Sequence, residues 1–86
     1  MTDQQTRIFR DQILNALLAG DCSIGLDADC VLVFIRALGF PNATREEIIS
    51  NLEYLTGRGF VVEVPSAHTR VIRRWRIADE GRRYLD

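Results

Sequence analysis

Apolar residues recur along this chain in blocks whose spacing changes from helical to alternating as the C-terminus is approached. Ile8, Phe9, Ile13, Leu14, Leu17 and Leu18 follow helical spacing across residues 7–19. Thr2 and Gln5 have capping-box spacing, so this first helix is expected to begin as early as Asp3, and Gly20 is a natural stop. Residues 22–24 are too few for a helix and suit a short strand before Gly25. Asp27 reads as the N-cap of a second helix over 28–38, ended by Gly39 and Pro41.

The middle of that second segment is ambiguous. Cys30, Val31, Leu32, Val33, Phe34 and Ile35 are consecutive apolar residues, three of them β-branched, and such a run alone suits a buried strand equally well. The Asp27 cap and the following Arg36-Ala37-Leu38-Gly39 favour helix. The third helix is clearer. Thr44 and Glu47 form S/T-x-x-E ahead of Ile48, Leu52 and Leu55, which share one face, and Gly59 ends the segment. Residues 60–64, "FVVEV", and 70–77, "RVIRRWRI", read as two strands of a hairpin joined by a polar loop. "ADEGRRYLD" reads as a short final helix that folds Tyr84 and Leu85 back on the core.

Charge changes this picture at one place. The formal net charge is only -1, which excludes a histone-like protein and leaves room for a local basic patch. All eleven basic side chains are arginine, and seven of them fall within 58–83. Four surround the single tryptophan, Trp75, in the last strand. Alternation puts Val71, Arg73, Trp75 and Ile77 on one side and Ile72, Arg74 and Arg76 on the other. Such a strand either covers the core with arginine stems or presents cations to phosphates.

The remaining composition narrows the chemistry. Eighty-six residues, 47% of them hydrophobic, make one globular domain spanning 1–86. Cys22 and Cys30 fit no zinc spacing, and a disulfide between them stays open. Two cysteines without a signal peptide point to a reduced, cytoplasmic chain, and no apolar run approaches a membrane span. His68 is the one histidine, on an expected loop tip, without a nucleophile or orienting partner in view. No enzyme, metal site or small-molecule cofactor is expected.

The run "TREEIISNLEYLTGRGFVVEV" resembles the third helix and first wing strand of the winged helix-turn-helix superfamily, and "RWRIADEGRRYL" resembles the end of its second wing strand. Ala78 stands where that ending usually has Thr, which weakens the cap of the last helix. Within the superfamily the chain looks most like small winged-helix proteins of Mu-like prophages. The resemblance implies an α+β fold: a three-helix winged helix-turn-helix with a C-terminal hairpin wing and a short terminal helix.

It also implies a DNA-binding, regulatory module. Double-stranded DNA would meet Arg45, Ser50 and Arg58 on the third helix and His68, Arg70, Arg73, Arg74 and Arg76 on the wing. Glu46, Glu47 and Glu53 on the outer face of that helix argue against close approach to phosphates. The alternative is a winged-helix scaffold for protein contact, a homodimer or a phage or host partner, with some of Cys30, Leu32, Val33 or Phe34 exposed.

Overall fold

The computed structural model describes residues 2–21, 24–64 and 72–86. Its elements are α1 (Asp3–Ala19), β1 (Leu26–Asp27), α2 (Ala28–Ala37), α3 (Arg45–Gly57), β2 (Val61–Val64), β3 (Arg74–Ile77) and α4 (Asp79–Leu85). Among the described residues the fold is therefore α+β, with four helices and a three-stranded antiparallel sheet in the order β1-β3-β2.

Local chemistry sets the helix starts. Gln5 N–H donates to Thr2 Oγ1 at 3.1 Å, and Thr2 N–H donates back to Gln5 Oε1 at 2.9 Å, a full capping box. The Cys30 N–H donates to Asp27 Oδ1 at 2.8 Å, so the apolar run after Asp27 is held as helix from its first turn. Thr44 and Glu47 repeat the capping box at α3. That helix closes at Gly57 with Arg58 as C-cap, and Gly59, at φ 82°, turns the chain toward β2.

Two expectations move. The first strand lies beyond Gly25, at Leu26–Asp27, because its register is set by pairing with β3: Leu26 with Trp75 and Asp27 with Arg74. Ile24 is in a turn, and Cys22 and Ser23 lie outside the described residues. Gly25 has φ 79°, and a Cβ there would sit 2.8 Å from the Trp75 carbonyl oxygen, so only glycine lets the chain reach this edge. The last strand is shorter than 70–77. It starts at Arg74, opposite Val64. Ile72 and Arg73 precede the strand, and Arg73, although exposed, brings its guanidinium over the Trp75 ring, on the side that alternation expects. Arg70 and Val71 lie outside the described residues.

The core joins both layers. Phe9, Ile13, Leu14, Ala16 and Leu17 of α1 meet Val31 and Ile35 of α2, Ile48, Leu52 and Leu55 of α3, and Trp75 and Ile77 of β3. Trp75 is only 1% exposed on the central strand. Phe9 and Phe40 meet edge to face at 5.0 Å between ring centroids. Ile8 and Leu18, part of the helical pattern, fall on the outer side of α1 and stay exposed.

Helix α4 is docked by its backbone. Ala78 N–H donates to Phe60 O at 2.9 Å, and a Cβ at Gly81 would overlap that same carbonyl oxygen. Leu85 packs against the core, while Tyr84 stays half exposed, its ring against Phe60 and its hydroxyl donating to Asp11 at 2.8 Å.

Ala78 has the extended backbone of an N-cap, φ -89° and ψ 169°, yet no side chain caps α4. Ala78→Thr is expected to raise stability by about 1 kcal/mol, read as an increase in Tm of roughly 4–8 °C. An unchanged or lower Tm in thermal unfolding contradicts this reading of the cap.

Candidate functional site

The expected nucleic-acid residues that are described fall in different places: Arg58 in one cleft, Arg45 and Arg73 in another. Arg73 leaves the chain just before β3 and turns toward α3. Its Nε and Nη2 donate to the two carboxylate oxygens of Glu63, each at 2.9 Å, and a second carboxylate, Glu53 of α3, lies at 3.4 Å. The guanidinium also sits 4.9 Å from the Trp75 ring centroid. The forked contact favours both charged forms: it holds the Glu63 carboxyl below its usual range and pushes the Arg73 guanidinium up. All three side chains remain partly exposed, so each pair is worth little in stability, but the local charge of Arg73 is spent.

The strand partners of Arg73 differ from it. Arg74 and Arg76 lie on the opposite side of β3 from Trp75 and Ile77, as alternation requires. Arg76 Nε donates to Asp21 Oδ1 at 3.2 Å, and Arg82 reaches the other oxygen of the same carboxylate. Asp21 is thus a clasp between the end of α1, β3 and α4. Arg74 is half-buried beside Asp27, and its side chain makes no hydrogen bond or ion pair with the described residues.

On α3 the candidates divide again. Arg45 donates through Nε to Asp29 Oδ1 at 3.1 Å, with both side chains well exposed. Ser50 faces solvent. Arg58, at the far end of the helix, makes no ion pair with the described residues and lines a cleft of about 350 Å³ with Arg7, Arg10, Tyr54 and Tyr84. There the Arg10 guanidinium lies 3.7 Å above the Tyr54 ring and its Nε donates to Asn51 at 2.9 Å. Arg45 and Arg73 line a different cleft, of about 380 Å³, with Asp27, Asp29, Ile72 and Trp75. Two guanidiniums there stand against Asp27 and Asp29 in the cleft wall and against Glu53 and Glu63 on Arg73. His68 and Arg70 lie outside the described residues.

The acidic face of α3 is also rearranged. Glu47 is drawn into the capping box, accepting from Thr44 N at 2.9 Å, and Glu53 is met by Arg73. Glu46 is exposed without a hydrogen bond or ion pair among the described residues.

Helix α2 leaves part of its apolar surface uncovered by the described residues. Val31, Leu32 and Ile35 turn inward, whereas Val33 is 70% exposed, Phe34 40% and Leu38 43%, with Cys30 and Ala37 exposed beside them. Sequence reasoning included Cys30, Val33 and Phe34 and also Leu32, which is buried. It missed Ala37 and Leu38, although the i, i+3, i+4, i+7, i+8 spacing from Cys30 carries the signal. Among the described residues no helix is long and apolar enough to cross a membrane. The Cys30 thiol shares a hydrogen bond with Asp27, which pushes its pKa up and keeps the exposed thiol protonated. Comparison of the sequence with protein-family models and with curated proteins finds no match.

Asp27 links this surface to stability. The Cys30 N–H holds its carboxyl below the ordinary value of 3.8. A depressed carboxylate stabilises the fold above its unfolded pKa, and that contribution disappears as pH falls through the folded value. Asp27→Asn keeps an N-cap acceptor and removes the titration. Between about pH 6 and about pH 3 the wild type is expected to lose more stability than Asp27→Asn, followed by Trp75 fluorescence in urea. Parallel losses in the two proteins contradict the assignment.

Proposed function

We propose that the chain is a small winged-helix-type binding module that contacts protein through its α2 face rather than duplex DNA through its wing. The element order and the β1-β3-β2 sheet are compatible with that layout, in which β2 and β3 make the wing and α3 takes the recognition position. The sequence resemblance to small winged-helix proteins of Mu-like prophages supports the same layout. One observation carries the choice of partner class. Arg73 and Arg76 are held by the chain's own carboxylates, while α2 leaves an apolar stripe uncovered. A phosphate that took Arg73 would be left beside Glu53 and Glu63, and that repulsion opposes the counterion release that drives such binding.

A DNA-binding, regulatory role is the second reading, favoured by specific residues. Arg74 and Arg58 make no ion pair with the described residues, Ser50 is exposed, and Glu47 and Glu53 are engaged within the fold.

Fluorescence anisotropy of a labelled random duplex separates the two. The protein-contact reading expects no saturable binding even at about 50 mM salt, where phosphate contacts are strongest. Binding that weakens steeply toward about 150 mM salt, and that disappears in Arg73→Ala/Arg74→Ala, establishes the second reading instead.

A further inference from the structure

The uncovered stripe on α2 has a pattern of its own. Cys30, Val33, Phe34 and Ala37 are symmetric about the point between Val33 and Phe34: two small residues outside, two larger ones inside. Asp29 and Arg36 border the stripe on the Val33 side. Among the described residues Asp29 pairs only with Arg45, both side chains well exposed, and Arg36 has Nε and Nη2 on the Ala43 carbonyl oxygen, with no described partner for Nη1.

From this we infer that the partner is a second copy of the chain, packed α2 against α2 in antiparallel fashion about a dyad between Val33 and Phe34. The inference rests on the protein-contact reading and names the occupant of that surface. Antiparallel pairing sets Val33 against the partner's Phe34 and Cys30 against the partner's Ala37, so the small residues let the helices approach at both ends. A dyad perpendicular to the helices brings the same border of each helix together with its direction reversed. Asp29 then lies within a turn of the partner's Arg36, at both ends. Helix dipoles oppose favourably as well. A parallel pair would instead put the two Asp29–Arg36 borders on opposite edges of the interface, each facing the partner's apolar Phe34 border with no opposite charge. The stripe is smaller than a standard interface of roughly 20–30 residues a side, so the association is reversible and concentration-dependent.

Disulfide trapping reads the geometry directly. In an antiparallel pair the two Cys30 positions stand seven residues apart along the helices, about 10 Å, beyond the reach of a disulfide. Oxidation of Cys22→Ser is therefore expected to give no covalent dimer. Cys22→Ser/Ala37→Cys, which adds a thiol facing the partner's Cys30, is expected to convert largely to dimer, and adding Val33→Asp is expected to abolish that conversion. Sedimentation of the unmodified protein from about 1 μM to about 1 mM is expected to show the mass rising toward twice that of one chain.

Cross-linking of Cys22→Ser alone means a parallel pair and overturns the arrangement. A constant single-chain mass with no trapped dimer overturns the second copy. The duplex titration run on the same samples keeps the two failures apart. A monomer that ignores DNA loses only the second copy, whereas salt-sensitive duplex binding overturns the protein-contact reading beneath it.

Discussion

A helix that is apolar on every side except one narrow edge cannot be covered by three other short helices and a small sheet. Helix α2 is in that position. Its polar residues, Asp29 and Arg36, occupy one edge and are drawn toward α3 by Arg45 and by the Ala43 carbonyl. With that edge fixed, Val31, Leu32 and Ile35 must turn to the core and Val33, Phe34 and Leu38 must turn out. The rest of the fold is compatible with this choice. Helix α1 and strand β3 supply Phe9, Ile13 and Trp75 to the inward side, and no described element reaches the outward one. Exposed apolar surface at helical spacing is unfavourable in water and is retained where something else covers it.

The surroundings of β3 are organised by charge. Asp21 ties β3 and α4 through Arg76 and Arg82, and Glu63 and Glu53 tie the start of β3 to its neighbouring strand and to α3 through Arg73. Individually such part-exposed pairs contribute little to stability. Their consequence is electrostatic: Arg73 and Arg76 are neutralised where the sequence suggests a basic edge. Trp75 explains why Arg73 is there. A buried indole on a central strand of four residues needs its flanks shielded, and the Arg73 guanidinium lies over its ring.

Much of the architecture was legible in the sequence because short-range chemistry decided it. The capping boxes at Thr2 and Thr44 and the Asp27 cap fixed three helix starts, and the missing cap at Ala78 was visible as a small residue in a capping position. The place of β1 was not legible, since a two-residue strand is set by pairing with β3, far away in sequence. The site was legible only as a residue inventory. Arg73 and Glu53 are twenty positions apart and Asp21 and Arg76 fifty-five, so their neutralisation depends on tertiary packing. The outward stripe of α2 was half visible: six apolar residues in a row announced too much hydrophobic surface, but which side stayed out depended on where Asp29 and Arg36 found partners.

The claim that the outward side of α2 is the working surface is most directly tested by amide chemical shifts of a uniformly ¹⁵N-labelled chain, recorded over a dilution series and then with added random duplex. The account predicts concentration-dependent shifts centred on Cys30, Val33, Phe34, Ala37 and Leu38, with the amides of Arg74, Trp75 and Arg76 unmoved by DNA. Shifts confined to α3 and β3 on adding duplex, with α2 silent throughout, would contradict it.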